Sequence, residues 1–260
     1  MSKQALVIDN DFFFVEFIKE LLEKRGYSVR QAYDGKEGIA RLEEGVVDVL
    51  IVDIVIPKID GQQVIKFARH KYPHDPFPIV AISGSIIERL DRLKEIGATC
   101  FLAKGPLEKM TVQINDLMES IEQKRLDEVG EEELFDQSDL FPRTETAELL
   151  DTLSFHKAII ECIGLGVVVV DRDGRIITTN TRVLELVGKP IEEMLNQPIV
   201  TVFDGPQRPQ IISALKKLIR NQALGKITLA ASIDSKPVPT TLSLLKLDHK
   251  IAGFIIILED

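Results

Sequence analysis

The chain of 260 residues contains no tryptophan, and aromatic residues make up only 6% of it. Surfaces that bind single-stranded nucleic acid or sugars stack them on aromatic rings, so this scarcity argues against such a surface. Basic residues form no stripe, and the net charge is −9. Because a nucleic-acid interface needs clustered positive charge, we expect no direct contact with nucleic acid.

Long apolar runs are also missing, so we expect no membrane span. The beginning of the chain, MSKQALVIDND, lacks the charged-then-apolar pattern of a secretion signal, which favours a cytoplasmic location. The chain has only two cysteines, Cys100 and Cys162, far apart and without metal-ligand spacing. We predict that both are buried thiols in a reducing compartment.

The acidic charge is concentrated in one segment. Residues 126–148 hold nine acidic residues and one arginine, whereas the stretches on either side are nearly neutral. This pattern predicts one domain over residues 1–125, an acidic linker over 126–148 and a second domain over 149–260. A solvated linker and an acidic strap that docks on one of the domains are both open interpretations of the segment.

The first domain alternates short apolar strands with amphipathic helices. The strands are predicted at residues 4–9, 27–32, 47–53, 78–83 and 99–103. The helices are predicted at about residues 11–25, 35–44, 61–72, 86–97 and 107–125. Helical crossovers between short strands predict an α/β fold with a five-stranded, doubly wound parallel sheet.

Polar side chains stand where these strands end. Asp9, Asp53, Ser83 and Lys104 follow or close four of the apolar runs. The carboxyl ends of parallel strands meet at one edge of the sheet, where clustered carboxylates need a cation. Hard oxygen ligands suit Mg²⁺, and an aspartate can form an acyl phosphate. The sequence therefore predicts a phosphate-plus-metal site centred on Asp53.

Four stretches follow one another in this region: LVIDND, DVLIVDIVIPKIDG, PIVAISG and GATCFLAKG. By these motifs, their order and their spacing, residues 3–122 resemble the receiver domain of two-component response regulators, which has a flavodoxin-like fold. The resemblance implies that Asp53 is the phosphoacceptor. It also implies that Ser83 and Lys104 contact the phosphoryl group and that Phe101 occupies the aromatic switch position.

The same resemblance implies a set of Mg²⁺ ligands. These are the side chains of Asp9, Asn10 and Asp53 and the backbone carbonyl of Val55. Asn10 stands where the family usually has a second acid, so the site has one negative charge fewer. Taken singly, Asp9 can be explained as a helix cap and Phe101 as a core residue, but the joint placement of the site residues argues against both explanations.

A further departure follows the lysine. Lys104 is followed by Gly105 and Pro106, where the family has proline directly after the lysine. The cis Lys–Pro bond of the family therefore cannot form here, although a cis Gly105–Pro106 bond can. Together with Asn10, this departure supports an alternative in which the domain works as an interaction module without phosphorylation.

The second domain begins with a predicted helix over residues 144–164. Its apolar face consists of Leu149, Leu150, Leu153, Ile159, Ile160 and Ile163. This face either packs on its own domain or pairs with a second copy as a parallel coiled coil. Residues 165–179 then form a predicted hairpin, and short helices and strands at 225–234, 238–247 and 250–258 follow. This order predicts an α+β domain on an antiparallel sheet.

The segment GVVVVDRDGRIITTN, with LELVGKPIEEMLNQPI and the final GFIIILED, resembles a PAS domain. Asn180 occupies the usual asparagine position, and we expect it to cap or brace the following helix. The sequence names no PAS ligand: no cysteine has a flavin-adduct context, and His156 and His249 are predicted to be solvated. The pocket is either filled by the domain's own Leu, Ile and Val side chains or occupied by a small ligand.

From these resemblances we expect a response regulator of a two-component phosphorelay. It takes a phosphoryl group on Asp53 from a histidine kinase or phosphotransfer protein, with Mg²⁺ present. It then signals through PAS-mediated homodimerisation or other protein–protein contacts, and we expect no enzymatic activity beyond self-dephosphorylation. A phosphatase would need an acid at Val55, and a sensor-kinase fragment with His156 as phosphoacceptor would need a nucleotide-binding motif that we do not find.

Overall fold

The structure, a computed structural model, describes residues 3–74, 77–83, 97–123 and 155–259. The chain divides into two compact units, Met1–Leu150 and Asp151–Asp260, and we describe each unit separately. The second unit begins two residues after residue 149, the predicted start of the second domain. The acidic linker predicted over 126–148 lies outside the described residues.

The N-terminal unit contains a five-stranded parallel sheet. Its strands are β1 (Lys3–Ile8), β2 (Tyr27–Ala32), β3 (Val49–Asp53), β4 (Ile79–Ser83) and β5 (Cys100–Ala103). They lie in the order β2-β1-β3-β4-β5, and every neighbouring pair is parallel. The order reverses direction after β1, so the predicted doubly wound parallel sheet is confirmed.

Four helices of this unit are described, and we number the helices in the order in which the structure describes them. They are α1 (Phe12–Lys24), α2 (Gly35–Glu43), α3 (Gly61–Lys71) and α4 (Leu107–Glu122). Residues 86–96 of the helix predicted over 86–97 lie outside the described part. The first three helices begin after an aspartate whose carboxylate accepts hydrogen bonds from backbone N–H groups of the first turn: Asp11, Asp34 and Asp60.

The two faces of this sheet are covered by different helices. Apolar side chains of α1 and α4, including Ile18 and Ile114, share one core cluster with Val7 and Ile51 of the sheet. The strand residues between these face the other side of the sheet, which α2 covers. There α2 lies so close to the sheet that a Cβ atom at Gly38 would clash with the side chain of Ile8. The sheet is therefore buried on both faces, as its continuous apolar strands predict.

The C-terminal unit is built on an antiparallel sheet. After a helix over residues 155–162 (α5), it contains β6 (Gly166–Asp171), β7 (Ile176–Thr179), α6 (Thr181–Val187), α7 (Ile191–Met194), α8 (Arg208–Arg220), β8 (Lys226–Ile233), β9 (Lys236–Leu247) and β10 (Lys250–Leu258). The strand order is β7-β6-β10-β9-β8, with antiparallel neighbours. The predicted α+β architecture is confirmed.

The structure corrects one prediction about the cysteines. Cys100 is buried, and burial raises the pKa of its thiol to about 12. Cys162, however, is exposed near the end of α5, so the expectation that both thiols are buried was wrong for this residue. Its apolar neighbours in the sequence suggested burial, but three of them are also exposed in the structure: Ile159, Ile160 and Ile163.

No helix in the described part of the chain combines the length and the apolar character that a membrane crossing requires. Of the apolar face predicted for residues 144–164, Leu149, Leu150 and Leu153 fall outside the described residues.

Asn180 joins three parts of the C-terminal unit. Its Oδ1 accepts hydrogen bonds from the N–H groups of Val167 in β6 (2.9 Å) and Val183 in α6 (3.4 Å). Its Nδ2 donates to the carbonyl oxygens of Ile160 in α5 (3.0 Å) and Leu165 (2.7 Å). The side chain is buried and caps α6. It therefore supplies hydrogen-bond partners to backbone groups that burial separates from water.

We predict that Asn180→Ala lowers the free energy of unfolding of the C-terminal unit by about 2–4 kcal/mol, because buried donors and acceptors lose their partners. Hydrogen exchange of the full chain, read by mass spectrometry, reports this unit separately. Asn221→Ala, at an exposed position after α8, is the matched control and should change little. Equal effects of the two variants would contradict the bracing role of Asn180.

Candidate functional site

The sheet of the N-terminal unit brings four predicted site residues to one edge. Asp53 and Ser83 are the last residues of the neighbouring strands β3 and β4. Asp9 and Lys104 directly follow β1 and β5, which flank these two strands. Because all four strands are parallel, their carboxyl ends share this edge, and the side chains converge there.

The ammonium group of Lys104 bridges the two aspartates. Its Nζ lies 2.6 Å from Asp9 Oδ2 and 2.7 Å from Asp53 Oδ2. Asp9 and Asp53 are only 2% and 6% exposed. The site is therefore a partly buried triad in which one cation lies between two converging carboxylates and offsets part of their charge.

The second oxygen of each carboxylate is held by the main chain. The N–H of Asp11 donates to Asp9 Oδ1 at 2.9 Å, and the N–H of Val55 donates to Asp53 Oδ1 at 3.0 Å. These two bonds fix the orientation of the carboxylates, so both Oδ2 atoms face Lys104. The orientation of the site thus comes from backbone groups immediately after β1 and β3.

Burial and charge act in opposite directions on the triad. Burial raises the pKa of the Asp9 carboxyl, and the nearby charge of Asp53 adds to this, although Lys104 and the N–H of Asp11 oppose it. Burial disfavours the charged form of Lys104, but the contacts with Asp53 and Asp9 outweigh it and raise its pKa. Lys104 is therefore firmly cationic, while Asp9 carries its charge at a cost.

Ser83 and Phe101 lie on the same side of the sheet. Ser83 is buried, and its carbonyl oxygen accepts a hydrogen bond of 2.9 Å from the N–H of Lys104. Phe101 pairs in register with Ala81, and Ser83 pairs with Ala103, so the phenyl ring and the hydroxyl lie two residues apart along neighbouring strands. Phe101 is buried, and its switch role stays a prediction.

The proposed metal ligands include groups of two kinds. Asp9 and Asp53 are buried carboxylates, whereas Asn10 and Val55 are exposed at the rim. In the described part of the chain, no three His, Cys, Asp or Glu side chains group together as a metal site. Mg²⁺, however, often takes only one or two carboxylates and keeps several waters, and these two carboxylates already converge on one cation. The residues therefore fit Mg²⁺, although Lys104 now holds the position between them.

Asp11 has a separate task. Its Oδ1 accepts hydrogen bonds from the N–H groups of Phe13 (2.9 Å) and Phe14 (3.3 Å), and so caps α1. After Lys104, the Gly105–Pro106 bond is trans, since the described residues contain no cis peptide bond, and α4 begins after Pro106.

The loop after β3 is held close to the site by glycine. A Cβ atom at Gly61 would lie 2.1 Å from the carbonyl oxygen of Asp53, a distance that no side chain tolerates. Gly35 makes an equally close approach to Ile59, and its N–H donates to the carbonyl oxygen of Pro57. These contacts fix the loop that carries Val55.

One residue at the site was missed by sequence reasoning. The ring of Phe14 packs against Lys104, with its centroid 4.7 Å from Nζ, a cation–π distance. Three consecutive phenylalanines, Phe12 to Phe14, begin α1, and only the third is buried. Helical periodicity marks it as inward-facing, but nothing in the sequence shows that it meets the lysine.

Comparison with protein families identifies both units. Residues 5–120 match the response regulator receiver domain, and residues 164–260 match the PAS domain. The chain thus contains a region that matches a receiver domain, followed by a region that matches a PAS domain, in the order that its sequence motifs predicted.

Several curated relatives match the receiver part. The response regulator GtcR of Aneurinibacillus migulanus is 32% identical over 112 residues, which is 42% of this chain and 45% of the relative. The alkaline phosphatase synthesis transcriptional regulatory protein PhoP of Bacillus subtilis is 32% identical over 106 residues, or 40% and 43% of the two chains. The chain thus spans about half the length of the curated relatives that it matches.

Solved structures of a response regulator and of a PAS domain are each similar to part of the chain. The chemotaxis response regulator CheY4 of Vibrio cholerae has a TM-score of 0.41 and 23% identity, over 45% of this chain and 98% of that one. A PAS domain of a Colwellia psychrerythraea protein has a TM-score of 0.37 and 21% identity, over 42% of this chain and 97% of that one.

We predict that Asp9→Asn raises the free energy of unfolding at neutral pH without metal by about 1 kcal/mol, the usual size of a single stabilising substitution. The folded-state pKa of Asp9 is raised, so its protonated form stabilises the fold fully below the ordinary value of 3.8, and this contribution is lost as the pH rises through the folded value. The gain from the variant should therefore be present at pH 7 and absent below about pH 3.8. Urea unfolding as a function of pH measures it.

Asp116→Asn, at an exposed position of α4, is the control and should change the free energy of unfolding little at every pH. A loss of stability for Asp9→Asn at pH 7 would show that the ion pair with Lys104 outweighs the cost of burying the charge.

Proposed function

We propose that the chain is a response regulator that accepts a phosphoryl group on Asp53 and passes the signal on through its PAS domain. The observation that carries the proposal is the triad at the edge of the parallel sheet, where Lys104 bridges the carboxylates of Asp9 and Asp53. The receiver-domain match over residues 5–120 supports it. The phosphodonor would be a histidine kinase or a phosphotransfer protein.

The chemistry is a displacement at phosphorus. Oδ2 of Asp53 attacks the phosphorus atom, the bond to the donor nitrogen breaks, and the electron pair leaves with the donor histidine. The N–H of Val55 keeps Oδ1 of Asp53 turned away, so Oδ2 is the oxygen presented to the donor. Lys104 then donates to an oxygen of the transferred group instead of to the carboxylate.

Mg²⁺, when bound, would neutralise charge on the transferred oxygens. The ligands would be Asp9, Asp53, the amide oxygen of Asn10 and the backbone carbonyl of Val55. Asn10 adds no charge, so we expect weaker binding than in a site with a third acid. Hydrolysis of the phosphoryl group by water would reset the domain without a separate catalytic domain.

The buried hydroxyl of Ser83 and the ring of Phe101 would respond to the new charge. Both lie on one side of β4 and β5, and the N–H of Lys104 is bonded to the carbonyl oxygen of Ser83. A shift of Ser83 and Lys104 towards the phosphoryl group would therefore be felt along β5. We propose that this change is passed on towards the second domain.

The output would be a contact between protein surfaces. Phe155, Ile159 and Ile163 are exposed on or just after α5, four residues apart, and form an apolar stripe. A second copy of the chain is the occupant we propose, since a parallel pair of such helices buries both stripes. We propose no ligand for the PAS core.

We predict that acetyl phosphate with Mg²⁺ adds a labile phosphoryl group of about 80 Da to the full chain on Asp53, because the triad presents an oriented carboxylate beside a cation. Intact-mass measurement detects the adduct, which Asp53→Ala should lack. Sedimentation of the same samples should show a change in self-association that is absent in the variant.

Asn10→Asp is the matched gain variant and should bind Mg²⁺ roughly tenfold more tightly, because ligand charge tunes such sites. A phosphorylation-independent interaction module is the second candidate function, and Asn10 favours it. If neither the wild type nor Asn10→Asp takes up a phosphoryl group, and beryllofluoride with Mg²⁺ leaves the amide signals of Ser83 and Lys104 unchanged, that second candidate holds.

We predict that Ile159→Glu weakens self-association of the full chain at least tenfold, because a buried charge replaces an apolar contact at the centre of the stripe. Sedimentation equilibrium measures the effect. Lys157→Glu, on the other side of the same helix, is the control and should dimerise like the wild type. Unchanged association of Ile159→Glu would place the pairing surface elsewhere.

A further inference from the structure

Among the described residues, the ammonium group of Lys104 makes three close contacts, and the third is with a neutral ring. The centroid of Phe14 lies 4.7 Å from Nζ, while Asp9 and Asp53 take the other two directions. Lysine has a long, flexible stem, and a quarter of this side chain is exposed. Without a contact that limits its motion, the ammonium group would lose rotamer entropy each time it entered the site.

The ring itself is held rigidly. Phe14 is 8% exposed and belongs to the core cluster of α1 and α4. Its N–H donates to Asp11 Oδ1, and the N–H of Asp11 donates to Asp9 Oδ1. The carboxylate that receives Lys104 and the ring that faces it are thus connected through the cap of one helix.

We propose that Phe14 is a positioning residue, whose ring face holds the Lys104 ammonium group at the junction of Asp9 and Asp53. This inference rests on the proposed phosphorylation of Asp53. The contact differs in kind from the two ion pairs: when a phosphoryl group is added to Asp53, the charges around the lysine change, but the ring remains. Phe14 therefore keeps the lysine near the reacting oxygen before and after transfer.

Two variants separate the ring from simple packing. Phe14→Leu keeps an apolar side chain of similar burial but removes the π face, and Phe14→Tyr retains the face. Phe67→Leu is the matched control, since Phe67 is a buried helical phenylalanine on α3, at the opposite face of the sheet. Circular dichroism of each full-length variant establishes that it is folded.

The first measurement is the chemical shift of the side-chain Cε–H groups of Lys104 in ¹³C-lysine-labelled protein, assigned with Lys104→Arg. In the wild type, the ring current of Phe14 should move these signals upfield. Phe14→Leu should remove the displacement, and Phe14→Tyr and Phe67→Leu should keep it. A signal that is the same in Phe14→Leu and the wild type would overturn the proposal.

The second measurement is the rate of phosphorylation by acetyl phosphate with Mg²⁺, as a function of acetyl phosphate concentration. A cation–π contact of ordinary strength corresponds to about fivefold in rate, so we expect the maximal rate of Phe14→Leu to fall about fivefold. The half-saturating concentration should change little, and Phe14→Tyr should restore the rate.

If Phe14→Tyr is as slow as Phe14→Leu, or if Phe67→Leu is equally slow, the effect is one of packing and the positioning role is refuted. If the wild type takes up no phosphoryl group, the proposed function fails, and the Lys104 signals still decide whether the ring holds the lysine.

Discussion

The charge balance of the candidate site depends on one ammonium group, that of Lys104, which lies between two buried carboxylates. Without Lys104, Asp9 and Asp53 would face each other with no cation from the described residues, at the edge of a sheet that is buried on both faces. Hydrogen bonds from the backbone hold their other oxygens, so neither carboxylate can turn away to relieve the repulsion. The free domain therefore carries its own counter-ion, and a divalent metal must share the site with it or displace it.

In this arrangement Asp9 takes part in the candidate site at a cost in stability. The charge on Asp9 is costly for the fold, because burial disfavours the ionised carboxyl more than Lys104 and the N–H of Asp11 stabilise it. Such a cost persists in proteins mainly where a function needs it. Asp53 is oriented by the same kind of contact but stands one strand further along the sheet. The strand order, with β1 beside β3, is what brings the two acids together.

Much of this could be predicted from the sequence, because it follows from local patterns. Parallel strands place their last residues at one edge, so apolar runs ending at Asp53 and Ser83 were enough to predict where the site lies. The contact of Phe14 could not be predicted, since it depends on how α1 packs against the end of β5, which periodicity does not specify. The exposure of Cys162 also depends on which side of α5 is covered, a property of tertiary packing.

Asn180 has a mechanical consequence for the C-terminal unit. It bonds to the carbonyl oxygen of Ile160, and the N–H of Thr181 donates to Glu161 Oε2 at 2.9 Å, so α5 is clamped at two neighbouring points to the start of α6. A helix fastened in this way cannot swivel independently of the sheet that follows. A rotation of α5 would therefore be transmitted to β6, because Asn180 also binds the N–H of Val167 in that strand.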